Sequence, residues 1–337
     1  MPKGIRPSAW ARAVERSFVA MTRTGVRAGS RVASLGWKAA AEKRKPPPGE
    51  GDWIAGMAMG AAGARRYRLY RPPDVSFGER LPLVVMLHGC GQDARSFALS
   101  TRMNRIAARE RFLVLYPEQD RLANGQGCWN WFDTRSGRAH GEAELIMRAI
   151  EQVGLLYSVD RTRIAVAGLS AGASMAALLV TRHPGRFRAV MMHSGIPPGA
   201  AHSTLSAVSA MKGHRAAPAP SVTPMAVPWP PLMVIHGAAD RVVSPRNAHA
   251  VAQAWADASG ATSGKRRSLQ RGQRYPMTVT DFKRGSGTVA TLVEVEQLGH
   301  AWSGGAARQL HSDGRGPDAS RLMWAFAAKQ FRLDPPA

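Results

Sequence analysis

The sequence predicts a doubly wound α/β fold, a mostly parallel sheet with helices on both faces, and three observations carry that expectation. Short apolar runs such as Leu83-Val84-Val85-Met86-Leu87 recur along the chain, which is the pattern of strands buried on both sides. Stretches with helical spacing lie between them, Leu145, Ile146, Met147, Ile150 and Val153 being one set. One apolar run, Ile164 to Ala167, passes directly into Gly168-Leu169-Ser170-Ala171-Gly172 and then into an Ala/Met/Leu-rich helical stretch reaching Leu179. Strand, sharp turn and helix therefore follow one another without a linker.

Taken in order, residues 1–48 read as an extension and residues 49–337 as one folded domain. The extension holds 11 Lys and Arg against Glu15 and Glu42, so it carries nine of the 23 net positive charges. At about 100° per residue, Arg12, Arg16, Arg23, Arg27, Arg31 and Lys38 share one sector, and Trp10, Val14, Phe18, Met21, Val32 and Leu35 gather opposite. That is a basic amphipathic helix suited to an anionic or hydrophobic surface. Gly25, Gly29 and Gly36 weaken it, and a solvated tail is the alternative. Arginines interrupt every window that could serve as the apolar core of a signal peptide, and Pro46-Pro47-Pro48-Gly49 marks the linker. Strands are expected at Tyr67 to Tyr70, Leu83 to Leu87, Phe112 to Tyr116, Ile164 to Ala167, Phe187 to Met192, Leu232 to Ile235 and Ala290 to Glu296, with a helix over Gly141 to Leu155. Residues 201–230, rich in Ala, Pro and Ser, and residues 259–287, basic and Gly-rich, read as long loops or disorder.

The turn at 168–172 has the form of a nucleophile elbow, so tight that the positions two before and two after the serine must lack bulky side chains. Ser170 is expected in a strained conformation, its hydroxyl held above the sheet edge where the new helix directs its N–H groups. A serine hydroxyl needs a base, and the base needs an acid to fix its tautomer. In the α/β-hydrolase fold these follow in the order Ser, Asp or Glu, His. After Ser170, the strand ending at Ile235 leads to His236-Gly237-Ala238-Ala239-Asp240, and the last strand leads to Leu298-Gly299-His300-Ala301-Trp302. Asp240 is the expected acid, with a turn cap as the alternative, and His300 the expected base; His236 is assigned a structural place. The oxyanion hole is assigned to the backbone amides of Ala171 and of Cys90, the latter in His88-Gly89-Cys90-Gly91-Gln92 after the first apolar strand. Such a site performs acyl transfer and requires neither metal nor cofactor.

With His88-Gly-Cys-Gly-Gln92, Cys128-Trp-Asn-Trp-Phe132, Gly168-Leu-Ser-Ala-Gly172, His193-Ser-Gly195 and Gly299-His-Ala-Trp302 in view, the chain resembles the poly(3-hydroxybutyrate) depolymerase family of esterases, in its type I catalytic domain, over about residues 53–331. The Cys-bearing oxyanion loop and the Cys-Trp-Asn-Trp segment set this pattern apart from generic lipases. The resemblance implies a serine esterase with Ser170, Asp240 and His300 as triad, and it implies that Cys90 and Cys128 lie close together, joined by a disulfide or as two reduced core thiols. Trp302, with Trp129 and Trp131, is expected to shape an apolar cleft for a 3-hydroxyacid polyester, core packing being the alternative for Trp129 and Trp131. Secreted members of the family carry a signal peptide and a substrate-binding domain, so the chain is expected to be of the intracellular type, cytoplasmic and associated with polymer granules through its extension; secretion is the alternative.

Composition bounds the remaining readings. No run approaches the roughly 18 apolar residues of a membrane-spanning helix. Forty-six Lys and Arg against 23 Asp and Glu favour anionic partners, but no nucleic-acid recognition motif accompanies the charge. Two cysteines exclude a disulfide-rich scaffold and a four-cysteine zinc site. A carboxylesterase of feruloyl or acetyl-xylan type shares the same catalytic frame. A basic surface-binding protein with a retired site is the reading from another class.

Overall fold

The structure, a computed structural model, describes residues 46–214 and 227–333. A hairpin of β1 (Asp52–Gly60) and β2 (Gly63–Arg71) opens the domain. Then come β3 (Leu81–Leu87), the short helices α1 (Ala94–Thr101) and α2 (Met103–Glu110), β4 (Leu113–Pro117), α3 (Arg138–Leu156), β5 (Val159–Leu169) and α4 (Ala171–Arg182). They are followed by β6 (Ala189–His193), α5 (Thr204–Met211), β7 (Leu232–Gly237), α6 (Arg246–Ser259), β8 (Thr262–Ser263) and β9 (Arg267–Leu269). β10 (Met277–Arg284), β11 (Gly287–Val295), a small parallel pair of β12 (Trp302–Ser303) and β13 (Ser312–Asp313), and α7 (Ala319–Arg332) are the last elements of the described residues.

The eleven strands β1 to β11 form one sheet in the order β1-β2-β4-β3-β5-β6-β7-β11-β10-β8, with β9 also paired to β10. Its centre, from β4 to β11, is parallel, and both flanks are antiparallel. The alternation of side chains explains why the central strands are apolar throughout. In β3, Leu83, Val85 and Leu87 join one core cluster and Val84 and Met86 the other; β4 divides the same way, with Leu113 and Leu115 against Val114 and Tyr116. The first cluster is closed by α3, α4 and α6, which contribute Ile146, Ile150, Met175, Val180 and Val251. The second is closed by α1, α2 and α7 through Phe97, Ile106, Met323 and Phe326. This is the α/β-hydrolase architecture.

Two segments depart from expectation. Residues 259–287 are not a long loop, since they hold β8, β9 and β10; Met277 and Val279 are buried on one face while β8 and β9 are wholly exposed. Their basic, polar character is that of a sheet edge, where no continuous apolar run is needed. Within 201–230 the structure places α5, whose N-cap Ser203 accepts from the Ser206 amide in a capping box. The expected amphipathic extension lies outside the described residues except for residues 46–48. Among the described residues no helix is long and apolar enough to cross a membrane.

Candidate active site

The turn from β5 to α4 shows why both its glycines are required. A Cβ on Gly172 would overlap the carbonyl oxygens of Leu87 and His88 at the end of β3, and a Cβ on Gly168 would overlap the Gly172 backbone. The start of α4 is thereby pressed against the loop that carries Cys90. Ser170 takes φ 55° and ψ −121°, the strained conformation expected of it, and its amide donates to the His193 carbonyl of β6 at 2.8 Å.

Asp240 follows the carboxyl end of β7 and His300 the carboxyl end of the neighbouring β11. Backbone hydrogen bonds from Ala238 to the Val295 carbonyl (2.8 Å) and from Ala239 to the Leu298 carbonyl (3.0 Å) tie the two loops together. Gly237 permits that approach, because a Cβ there would overlap the Leu298 carbonyl. The result is a continuous relay. His300 Nδ1 lies 2.7 Å from Asp240 Oδ2, and His300 Nε2 lies 3.0 Å from Ser170 Oγ. A carboxylate only accepts, so Nδ1 carries the proton and Nε2 presents its lone pair to the serine hydroxyl. The His300 side chain is 10% exposed, leaving its outer edge open to a ligand.

Asp240 is buried, and burial alone would raise its pKa. Hydrogen bonds from His236 and His300 outweigh that and hold the carboxyl well below the usual range. Its other oxygen accepts from the amides of Val242 and Val243, both at 2.9 Å. His236 is not merely a packed strand end: its Nε2 sits 3.0 Å from the Val243 carbonyl and 3.4 Å from Asp240 Oδ2, so it touches the triad acid directly. It lies in β7, four residues before Asp240, a spacing that a packed strand-end histidine would share.

The expectation that Trp129, Trp131 and Trp302 line a substrate cleft is not met. Trp302 is 0% exposed; it stacks on His193 with centroids 5.2 Å apart, meets Phe97 edge-on, and donates from Nε1 to Ser320 Oγ at 3.0 Å. The Ser303 amide donates to His193 Nε2 at 3.1 Å, and burial pushes the His193 imidazole down to about 3, so it serves as a neutral acceptor. Trp302 thus fixes the segment that follows the base instead of touching substrate. Trp129 is likewise 0% exposed, its Nε1 donating to the His88 carbonyl at 3.0 Å, and Trp131 is 8% exposed and packs edge-on against Phe132. Cys90 and Cys128 form a disulfide, which joins the loop after β3 to the loop after β4.

Residues 65–272 match the family described as Esterase PHB depolymerase. The chain belongs to that family. Among relatives, it is 32% identical over 180 residues to poly(3-hydroxyalkanoate) depolymerase C of Paucimonas lemoignei, a match covering 49% of this chain and 42% of that one. It is 25% identical to feruloyl esterase B of Neurospora crassa over 63% of this chain and 77% of the relative. The chain therefore spans less than half the length of the first of these and about three quarters of the second. In fold it resembles the acetyl xylan esterase from Aspergillus awamori, with a TM-score of 0.62 at 17% identity, covering 83% of this chain and 100% of the other. Membership places the chain among the esterases; Ser170 and Asp240 lie within the matched residues, and His300 lies beyond them.

Proposed function

We propose that the protein is a serine esterase that cleaves ester bonds of poly(3-hydroxybutyrate) or a related short-chain polyhydroxyalkanoate through an acyl-enzyme on Ser170. The observation that carries this reading is the placing of His300 within hydrogen-bonding distance of both Ser170 and Asp240 at the mouth of a nucleophile elbow. In the first step His300 Nε2 takes the hydroxyl proton as Ser170 Oγ adds to the ester carbonyl, giving a tetrahedral oxyanion that the amides of Cys90 and Ala171 receive. Collapse expels the alcohol end of the chain, protonated by His300, and leaves the acyl-serine. Water, deprotonated by the same imidazole, adds to the acyl carbonyl and releases the acid. Asp240 remains a carboxylate throughout and stabilises the imidazolium.

The polyester substrate is supported by the 32% identity to the Paucimonas depolymerase over 180 residues. A carboxylesterase of feruloyl type is the second reading, favoured by the longer match to feruloyl esterase B. Amorphous poly(3-hydroxybutyrate) granules, p-nitrophenyl butyrate and methyl ferulate, each with wild type and Ser170→Ala, separate them. Turnover of granules by wild type alone supports the polymer reading, and turnover of methyl ferulate without attack on granules replaces it. The basic extension is the part we assign to the granule surface. Removing residues 1–48 is expected to abolish granule binding while p-nitrophenyl butyrate hydrolysis persists, and undiminished binding would refute that assignment.

A further inference from the structure

Linked to the disulfide segment lies a buried acidic side chain that the triad does not use. Glu142, on the first turns of α3, is 4% exposed. Such a group stays in a protein interior only when its oxygens are fully engaged, and here three donors reach it. Oε1 accepts from Gln119 Nε2 at 2.7 Å and from Asn130 Nδ2 at 2.6 Å, and Oε2 accepts from the Asn130 backbone amide at 2.9 Å.

Both arms of this cluster end on the loop that carries Cys90. Along one arm, Asn130 closes the segment Cys128-Trp129-Asn130: Cys128 is bonded to Cys90, and Trp129 Nε1 donates to the His88 carbonyl at 3.0 Å. Along the other, Gln119 Nε2 donates also to the Cys128 carbonyl at 2.9 Å, and the Gln119 amide donates to His88 Nε2 at 3.0 Å. The loop is thus held from His88 and from Cys90, and each hold runs through a residue that Glu142 anchors. Within the loop itself Gln92 Oε1 accepts from the Gly89 amide at 3.0 Å, and a further tie to the segment after β4 runs from the Gly91 amide to the Gln126 carbonyl at 2.9 Å.

We infer that Glu142 is a positioning residue of the oxyanion hole, fixing the Cys90 amide through Asn130 and Gln119. The inference rests on the serine-esterase reading of the site. An oxyanion donor acts only if it is aimed at the transition-state oxygen before the reaction begins, so loosening its support lowers kcat and leaves substrate binding in place. Glu142→Gln is nearly isosteric but sets an NH2 group against a donor, so one of the three bonds must break.

Steady-state hydrolysis of p-nitrophenyl butyrate and inhibition by phenylboronic acid, which forms a tetrahedral adduct on the serine, give the test. Glu142→Gln should lower kcat about 10- to 100-fold with KM held within about 2-fold, and raise the boronate Ki by the same factor as kcat falls. Asn130→Ala removes one of the three donors and keeps the backbone bond, so it should show a smaller loss with the same split while its melting curve stays cooperative. Unchanged kcat and boronate Ki in both variants overturn the inference, as does a loss of kcat that leaves boronate binding untouched. A wild type without Ser170-dependent hydrolysis overturns the reading of the site and the inference with it, whereas an active wild type beside fully active variants overturns the inference alone.

Discussion

At the scale of single residues, the relay depends on the acid being unable to donate. Asp240 spends one oxygen on the amides of Val242 and Val243 and the other on His300. In Asp240→Asn the amide oxygen satisfies the two backbone donors, which turns the NH2 group toward His300 Nδ1 and forces the proton onto Nε2. The imidazole then faces Ser170 with a donor instead of a lone pair. We expect kcat on p-nitrophenyl butyrate to fall by about 10⁴ with little change in thermal stability; a loss below about 10-fold would show that Asp240 does not set the tautomer. These three residues were legible in the sequence because the chemistry restricts their type and the fold restricts their place, each at the carboxyl end of a strand and in a fixed order. His236 and Glu142 were not legible. Nothing in a sequence distinguishes a histidine that touches the triad acid from one that packs, and Glu142 sits on a helix whose apolar spacing reveals nothing about a polar neighbour.

At the scale of elements, the elbow works because α4 starts in contact with the end of β3. Gly172→Ala would drive a methyl group into the Leu87 and His88 carbonyls, and backbone there cannot yield as a side chain does. About 2–3 kcal/mol of destabilisation is expected, read as a lower urea midpoint, and activity should fall further than stability because the shift is felt at Ala171 and Cys90 together. Trp302 provides a second test. Buried between His193 and Phe97, it should cost about 3–5 kcal/mol when truncated in Trp302→Ala. Trp302→Phe, which retains the stacking face, should keep KM for p-nitrophenyl butyrate within about 2-fold; a large KM change in that folded variant would restore the cleft-lining role that its burial excludes. The sequence showed an aromatic residue beside the base. It did not show that β6 and α7 converge on it, since that is a property of tertiary packing.

At the scale of the whole molecule, the central parallel strands were readable because each is buried on both faces and must be apolar throughout. The antiparallel flank from β8 to β10 was missed because a half-solvated edge has no such requirement. The buried histidines also make a global prediction. Burial pushes His88 down to about 4 and His193 to about 3, from an ordinary value of 6.5. Below pH 6.5 the unfolded chain takes up a proton at each site while the folded one does not, so stability falls as pH drops through 6.5 toward 4. Each group costs about 2 kcal/mol at pH 5. Glu118, whose pKa burial raises, acts in the opposite direction, while His140 and His311, which burial also lowers, act in the same one. The urea midpoint should therefore decline between pH 7 and pH 4.5, and a flat profile would mean that these imidazoles are solvated.

Every catalytic step above requires the hydroxyl at position 170 to react before any other nucleophile of the chain. Mass spectrometry of the protein after brief exposure to a fluorophosphonate measures this most directly. A single adduct confined to the peptide bearing Ser170, formed by wild type and by neither Ser170→Ala nor His300→Ala, is the result predicted. Labelling elsewhere, or labelling of Ser170 at an undiminished rate once His300 is removed, would contradict it.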